Sequence, residues 1–258
     1  MTHALINGTK KGETLRNLFR AVFMQNTEGV KNMETPRPSS ISKWLPNLVG
    51  LDNTHKREYS LGRDAINFGN YCDYLVEELF IKFYQLTSQV MTRADFMSFA
   101  QEIIDTDHRL NVFSHRRRQL VKSLIVTNLL PNLYNFLSSI DFSQARAERE
   151  YGYLVLDNKY AIKGKPDLIV RNQDGSYSIL DFKCYDGMSD RERQMAHNQM
   201  TIYASILVAG GLNVKDTTIL NPLENFSETR ELVDLDNFIA TQLLPALEGD
   251  REDQVFGS

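Results

Sequence analysis

The sequence predicts a mixed α/β (α+β) fold: a helix-rich N-terminal half followed by a half in which consecutive antiparallel strands are mixed with helices. Three observations predict it. Apolar residues recur at helical spacing through much of the chain before Ser143, and short runs rich in Tyr, Val, Ile and Leu, separated by turn residues, follow it. A well-bounded helix, a last strand and a last helix then close the chain. The expected organisation is a helical part over 1–142 packed on a core over 143–250, with a flexible tail over 251–258.

Taken in order, "TKKGETLRNLFRAVFMQN" places Leu15, Leu18, Phe19, Val22 and Phe23 on one face at helical spacing, which predicts a helix. "NTEGVKNMETPRPSS" is polar and proline-bearing and reads as a loop. A short helix is expected at "SSISKWLPNL", with Ser39 or Ser40 as its N-cap. From about Asn67 to Gln89, Tyr71, Leu75, Leu79, Phe83 and Leu86 mark a long, partly buried helix. Further helices are expected at about 93–105 and about 115–138, the second kinked near Pro131. After Ser143, "EREYGYLVLD", "KYAIKG", "PDLIV" and "YSILDFK" read as consecutive antiparallel strands. "SDRERQMAHNQMTIYASILVAGG" opens on the capping box Ser189/Glu192 and ends on Gly210 and Gly211. A strand near "KDTTILNP" and a helix near "DLDNFIATQLLPALE" complete the chain.

Composition narrows the function classes. With 258 residues, 42% hydrophobic and 24% charged, the chain reads as globular and large enough to bury a core without disulfides or a structural metal. The cysteines, Cys72 and Cys184, form no CxxC pair and are too few for an iron–sulfur cluster or a four-cysteine zinc site. They suit a reducing, cytoplasmic setting. The longest apolar run, "YASILVAGGL", falls far short of the roughly 20 residues that span a bilayer, so no membrane partner is expected. A net charge of −4 gives no general attraction to nucleic acid, so such binding must rest on local patches.

The chemistry concentrates in "GKPDLIVRNQDGSYSILDFKCYDG". Alternation puts Asp181 and Lys183 on one face of a strand and Leu180 and Phe182 on the other. If the loop is Gln173, Asp174 and Gly175, with Gly175 at positive φ, Asn172 pairs with Ser176 and Asp167 lies opposite Asp181. Opposed Cβ atoms are roughly 5 Å apart, so both acids and the lysine share one patch. Repelling carboxylates call for a cation, and oxygen ligands suit Mg²⁺ or Mn²⁺. A lysine there can act on an attacking water or a scissile phosphate, a plan for phosphodiester hydrolysis. The alternative is a cross-strand ion pair of Asp167 with Lys183 on an exposed hairpin face.

These residues resemble the signature of the PD-(D/E)xK nucleases, with Pro166 and Asp167 as the "PD" and Asp181, Phe182 and Lys183 as the "(D/E)xK". Gln199 and Tyr203, a Q-x-x-x-Y on the next helix, are similar to the motif of the RecB-like branch. Gly164 matches the glycine preceding the motif aspartate, "SSISKWL" the serine-rich opening of such domains, and "EREY" the start of the strand before the motif. The resemblance implies the restriction-endonuclease-like core, a central, mixed, largely antiparallel sheet flanked by helices, with a metal held by Asp167, Asp181 and the Phe182 carbonyl, and Lys183 acting on water or phosphate. It favours Glu148 as a further acid, with Glu150 as substitute. Gln199 and Tyr203 are implied to hold the site together and meet the DNA strand. Where the branch often carries a metal-binding histidine, four residues after Gly69, this chain has Asp73, which can serve the ion through oxygen or be a surface acid.

For nucleic acid, Arg116, Arg117, Arg118 and Lys122 open a helix, and Arg191 and Arg193 follow the hairpin. Lys10, Lys11, Arg16 and Arg20 read as a solvated face, Trp44 and Tyr185 as stacking candidates, and His108, His115 and His197 as structural or surface residues. The expected function is a Mg²⁺- or Mn²⁺-dependent deoxyribonuclease. An exonuclease or single-strand-preferring enzyme of recombination, repair or phage DNA processing is favoured. Its partners are DNA and, since no Walker A motif is present, any helicase or recombination protein as a separate chain. The alternatives are an inactive nuclease-fold module that binds nucleic acid or protein, and a site-specific endonuclease.

Overall fold

In a computed structural model of the protein, residues 19–22, 33–43, 45–51, 64–85, 91–140, 145–147, 152–156, 159–184 and 187–253 are described. Phe19–Val22 forms strand β1, followed by helix α1 (Pro38–Ile41), a 3₁₀ turn (Pro46–Leu48) and the long helix α2 (Ala65–Gln85). Helix α3 (Arg93–Thr106), a 3₁₀ turn (His108–Val112), α4 (His115–Leu124) and α5 (Leu130–Ser138) complete the helical half. Strands β2 (Ala145–Ala147), β3 (Gly152–Leu156), β4 (Tyr160–Gly164), β5 (Leu168–Arg171) and β6 (Tyr177–Phe182) lead into helix α6 (Asp190–Ala209). Strands β7 (Val214–Asn221) and β8 (Phe226–Glu231) and helices α7 (Leu235–Phe238) and α8 (Leu244–Asp253) follow.

A five-stranded sheet has the order β2-β5-β6-β7-β8, and a three-stranded sheet has the order β1-β3-β4. Within the larger sheet β6 and β7 are parallel and the other neighbours antiparallel. The parallel pair requires a crossover, and α6 supplies it. Leu168, Phe182 and Leu220 pack with α2 to α5 on one side of this sheet, whereas Ile169, Ile179 and Ile219 pack with α6 and the C-terminal helices on the other. The predicted helical half therefore shares a core with the sheet.

Several local expectations are corrected. The helix expected around Leu15 to Phe23 is a strand over Phe19–Val22, because backbone pairing with β3 over Tyr153–Leu156 outweighs a helical period that local sequence alone suggested. The rest of that stretch lies outside the described residues. The short helix starts earlier than expected, with Arg37 as N-cap, no side-chain cap, and Pro38 in the first turn, where its fixed φ and missing N–H cost nothing. The strand runs after Ser143 divide between two sheets, and β8, polar along most of its length, is an additional strand.

Near Pro131 the chain forms a π-helical turn over Ile125–Leu129, and a second such turn over Ile239–Leu243 precedes Pro245. A proline ring collides with the carbonyl four residues back in a regular helix, and a wider turn relieves that collision. Helix α8 runs to Asp253, so the first residues of the expected tail are helical, and the rest of it lies outside the described residues. The capping box at the start of α6 is present in both directions, from Ser189 to Glu192 and back.

Candidate active site

The hairpin register follows from its loop. Gly175 has φ +82, a conformation that suits glycine, and the Asn172 N–H donates to the Ser176 carbonyl at 2.8 Å. Asp174 stiffens the loop by accepting from the Ser176 N–H at 2.9 Å and hydroxyl at 2.6 Å. Leu168 then opposes Leu180 in the ladder, and one step further Asp167 faces Asp181. By strand parity these acids sit on the Ile169/Ile179 side, the side covered by α6.

The acids are held differently. Asp167 Oδ2 accepts from the Phe182 N–H at 2.7 Å. Asp181 is 3% exposed, and its Oδ2 lies 2.5 Å from Lys183 Nζ as an ion pair. Beyond that ion pair the buried oxygen accepts no hydrogen bond. Burial first, and the Asp181 charge second, push the Asp167 carboxyl well above the usual range. Two neighbouring buried carboxylates, one of which resists ionising beside the other, form an arrangement that could take a divalent cation.

Contacts from Lys183 lead to α6. Its Nζ donates to Gln199 Oε1 at 3.1 Å, and Gln199 Nε2 donates to the Tyr203 hydroxyl at 2.8 Å. The i, i+4 spacing of Gln199 and Tyr203 puts them on one helical face, which makes the relay possible. Burial, then the Asp181 charge, pushes the Tyr203 phenol up to about 12. Tyr203 is thus a neutral donor near neutral pH.

Asp167, Asp181, Phe182, Lys183, Gln199 and Tyr203 all line one open cleft of about 430 Å³. α2 supplies the facing wall with Asn70, Asp73, Tyr74 and Glu77, and Lys165 also lines it. Asp73 contacts the Cys184 thiol, and burial raises its carboxyl pKa while Lys183 opposes the rise. Its residue surface is nevertheless exposed along the cleft, so solvent moderates that shift. Among the described residues, no group of three or more His, Cys, Asp or Glu side chains is placed to hold a metal. Asp167 and Asp181 are the neighbouring carboxylates that could share one, and Phe182 lines the same cleft. Glu148 and Glu150 lie outside the described residues, as do Trp44 and Tyr185.

Asn70, Tyr74, Glu77 and Lys165 were not singled out from sequence. The signal was present as a polar stripe at helical spacing through an otherwise apolar helix, and as a lysine two residues before Asp167.

The cationic candidates are more dispersed. Arg116 is exposed on α4, Arg117 lies 3.8 Å from Asp64, and Lys122 pairs with Asp105 at 2.8 Å. Arg118 Nη2 donates to the Phe113 carbonyl at 3.4 Å. None of the four lines the cleft. Arg191 donates to the carbonyls of Leu48 at 3.1 Å and Lys43 at 3.5 Å, tying α6 to the segment after α1. Arg193 stacks over Phe226 at 5.0 Å. His197 is buried beside Glu228, with Nε2 3.1 Å from the carboxylate, and burial drives its pKa down to about 4.

The model of the PD-(D/E)XK nuclease superfamily matches residues 47–235, most of the chain and all of this site. The chain belongs to the PD-(D/E)XK nuclease superfamily. Its mixed sheet and flanking helices have that superfamily's architecture, and membership implies a metal-dependent nuclease acting on nucleic acid. No curated protein matches. Among solved structures, this PD-(D/E)XK chain is similar to the one titled "Crystal structure of SSO0001", at 15% identity and a TM-score of 0.26, covering 70% of this chain and 86% of that chain. Among the described residues, no helix is long and apolar enough to cross a membrane.

Proposed function

We propose that the protein is a divalent-metal-dependent deoxyribonuclease of the RecB-like branch, acting as an exonuclease or on single strands in recombination, repair or phage DNA processing. The observation that carries this reading is the chain of contacts from Asp181 through Lys183 and Gln199 to Tyr203, which joins the two sequence motifs in one cleft.

Asp167, Asp181 and the Phe182 carbonyl would hold Mg²⁺ or Mn²⁺, which when bound supplies charge neutralisation and a more acidic water. Lys183, held between Asp181 and Gln199, orients that water or offsets charge on the phosphate. Gln199 fixes the lysine and the phenol, and the neutral Tyr203 hydroxyl can donate toward the strand. Arg116, Arg117, Arg118, Lys122, Arg191 and Arg193 are proposed to support the backbone outside the cleft. Exposed ion pairs such as Lys122 with Asp105 are worth about 0–1 kcal/mol, so a phosphate can displace them.

The test is incubation of end-labelled single- and double-stranded DNA, linear and circular, with Mg²⁺ or Mn²⁺ and with EDTA, comparing wild type with Lys183→Ala. Divalent-dependent loss of linear but not circular DNA, abolished in the variant, is expected. Cleavage that survives Lys183→Ala would refute the assigned chemistry, and metal-independent binding without cleavage would select an inactive module.

A further inference from the structure

The geometry points to Tyr74 and Arg109 as a stacking platform that receives the unpaired nucleobase adjoining the scissile phosphate. This assignment rests on the nuclease reading above and adds how the substrate strand is held.

Tyr74 lines the cleft one residue from Asp73 and shares its helical face with Asn70 and Glu77. The Arg109 guanidinium lies over the Tyr74 ring, 3.5 Å from the ring centre. Arg109 arrives there from the 3₁₀ turn between α3 and α4, a segment no motif marked.

Its position is built rather than incidental. Asp107 Oδ1 accepts from the Arg109 N–H at 2.8 Å, and Asp107 Oδ2 accepts from Nη1 at 3.3 Å, so one carboxylate anchors both backbone and guanidinium. The Asp107 side chain is 6% exposed, whereas that of Arg109 is 51% exposed. A planar cation laid on an aromatic ring, anchored from beneath and open to solvent, is a surface on which a base can stack whatever its identity.

The charge of the cleft gives this platform a purpose. Its lining carries the acids Asp73, Glu77, Asp167 and Asp181 against Lys165 and Lys183. Such a surface does not attract a phosphodiester before a metal binds. Arg109 does not line that cleft; it lies on Tyr74, which does, and so offers the strand a stacking surface for a base where the cleft's own charge offers the phosphates little. Only an unstacked base can lie on such a platform, so it favours single strands and frayed ends over duplex interiors.

The test uses fluorescence anisotropy on the full-length Lys183→Ala protein with Mg²⁺. The probes are an oligothymidylate of about 20 nucleotides and an abasic strand of equal length. Adding Arg109→Ala is expected to weaken oligothymidylate binding by about tenfold and abasic binding by less than about twofold. Arg109→Lys, which keeps the charge but loses the plane, should behave as the alanine variant does. Equal weakening on both probes, restoration by lysine, or no change at all would each overturn the platform. Wild-type cleavage is scored separately: its absence on every DNA would sink the nuclease reading, while the difference between the two probes still tests the platform.

Discussion

Replacing Asp167 by Asn should stabilise the metal-free protein at alkaline pH while abolishing its response to divalent metal. Asp167 and Asp181 sit at opposed ladder positions. Two unit charges about 5 Å apart repel by about 3 kcal/mol at an effective dielectric of about 20. Lys183 beside Asp181 offsets part of this, leaving a net penalty of about 1–2 kcal/mol. An asparagine oxygen can still accept from the Phe182 N–H, so the substitution removes the charge and keeps the hydrogen bond.

The sign follows from the raised Asp167 pKa. A folded state that disfavours the ionised carboxyl carries no penalty below the unfolded pKa and loses stability as pH rises through the folded one. The variant escapes that loss. In EDTA at pH 8 its melting temperature should exceed that of wild type by about 2–8 °C, and the gap should shrink at pH 5. Thermal unfolding followed by circular dichroism measures both. Adding Mg²⁺ at pH 8 should raise the wild-type melting temperature but not that of the variant. An Asp167→Asn variant that melts below wild type in EDTA at pH 8, or a gap independent of pH, would refute the opposed-carboxylate geometry.

Gln199→Ala removes an acceptor for Lys183 and a donor to Tyr203. It should cut kcat by roughly 10- to 100-fold and stability by about 1–2 kcal/mol, read from single-turnover cleavage and urea melts. A Cβ at Gly164 would lie 2.7 Å from Ile206 Cδ1, so Gly164→Ala should cost about 1–3 kcal/mol. Ile206→Val deletes that atom, and a double-mutant cycle in urea should show the pair to be less destabilised than the sum of the singles. His197, with its pKa lowered to about 4, contributes stability that is present above about pH 6.5 and lost as pH falls through about 4. His197→Gln should therefore flatten the loss of about 2–3 kcal/mol between pH 7 and 4.5 in urea titrations.

Much of the site was legible because its signals are local. The Gln173 to Gly175 loop sets the hairpin register, and register sets which residues share a face. The Ser189/Glu192 capping box sets where α6 begins, so Gln199 and Tyr203 fall on a known turn. The facing wall was less legible. Asn70, Tyr74 and Glu77 read as ordinary surface positions of an amphipathic helix until α2 is placed against the hairpin. Nor does local spacing record that Arg191 donates to the carbonyls of Lys43 and Leu48.

Sequence alone put the paired acids and the lysine on one strand face and the amide and phenol on one helical face, because turn, cap and alternation are encoded within a few residues of the groups they place. Tertiary structure alone decided that Phe19–Val22 is a strand, that two sheets share the β-rich half, and that Arg109 lies on Tyr74. Those outcomes depend on contacts between segments far apart in the chain. They are settled by which surfaces bury one another, and no local spacing records that choice.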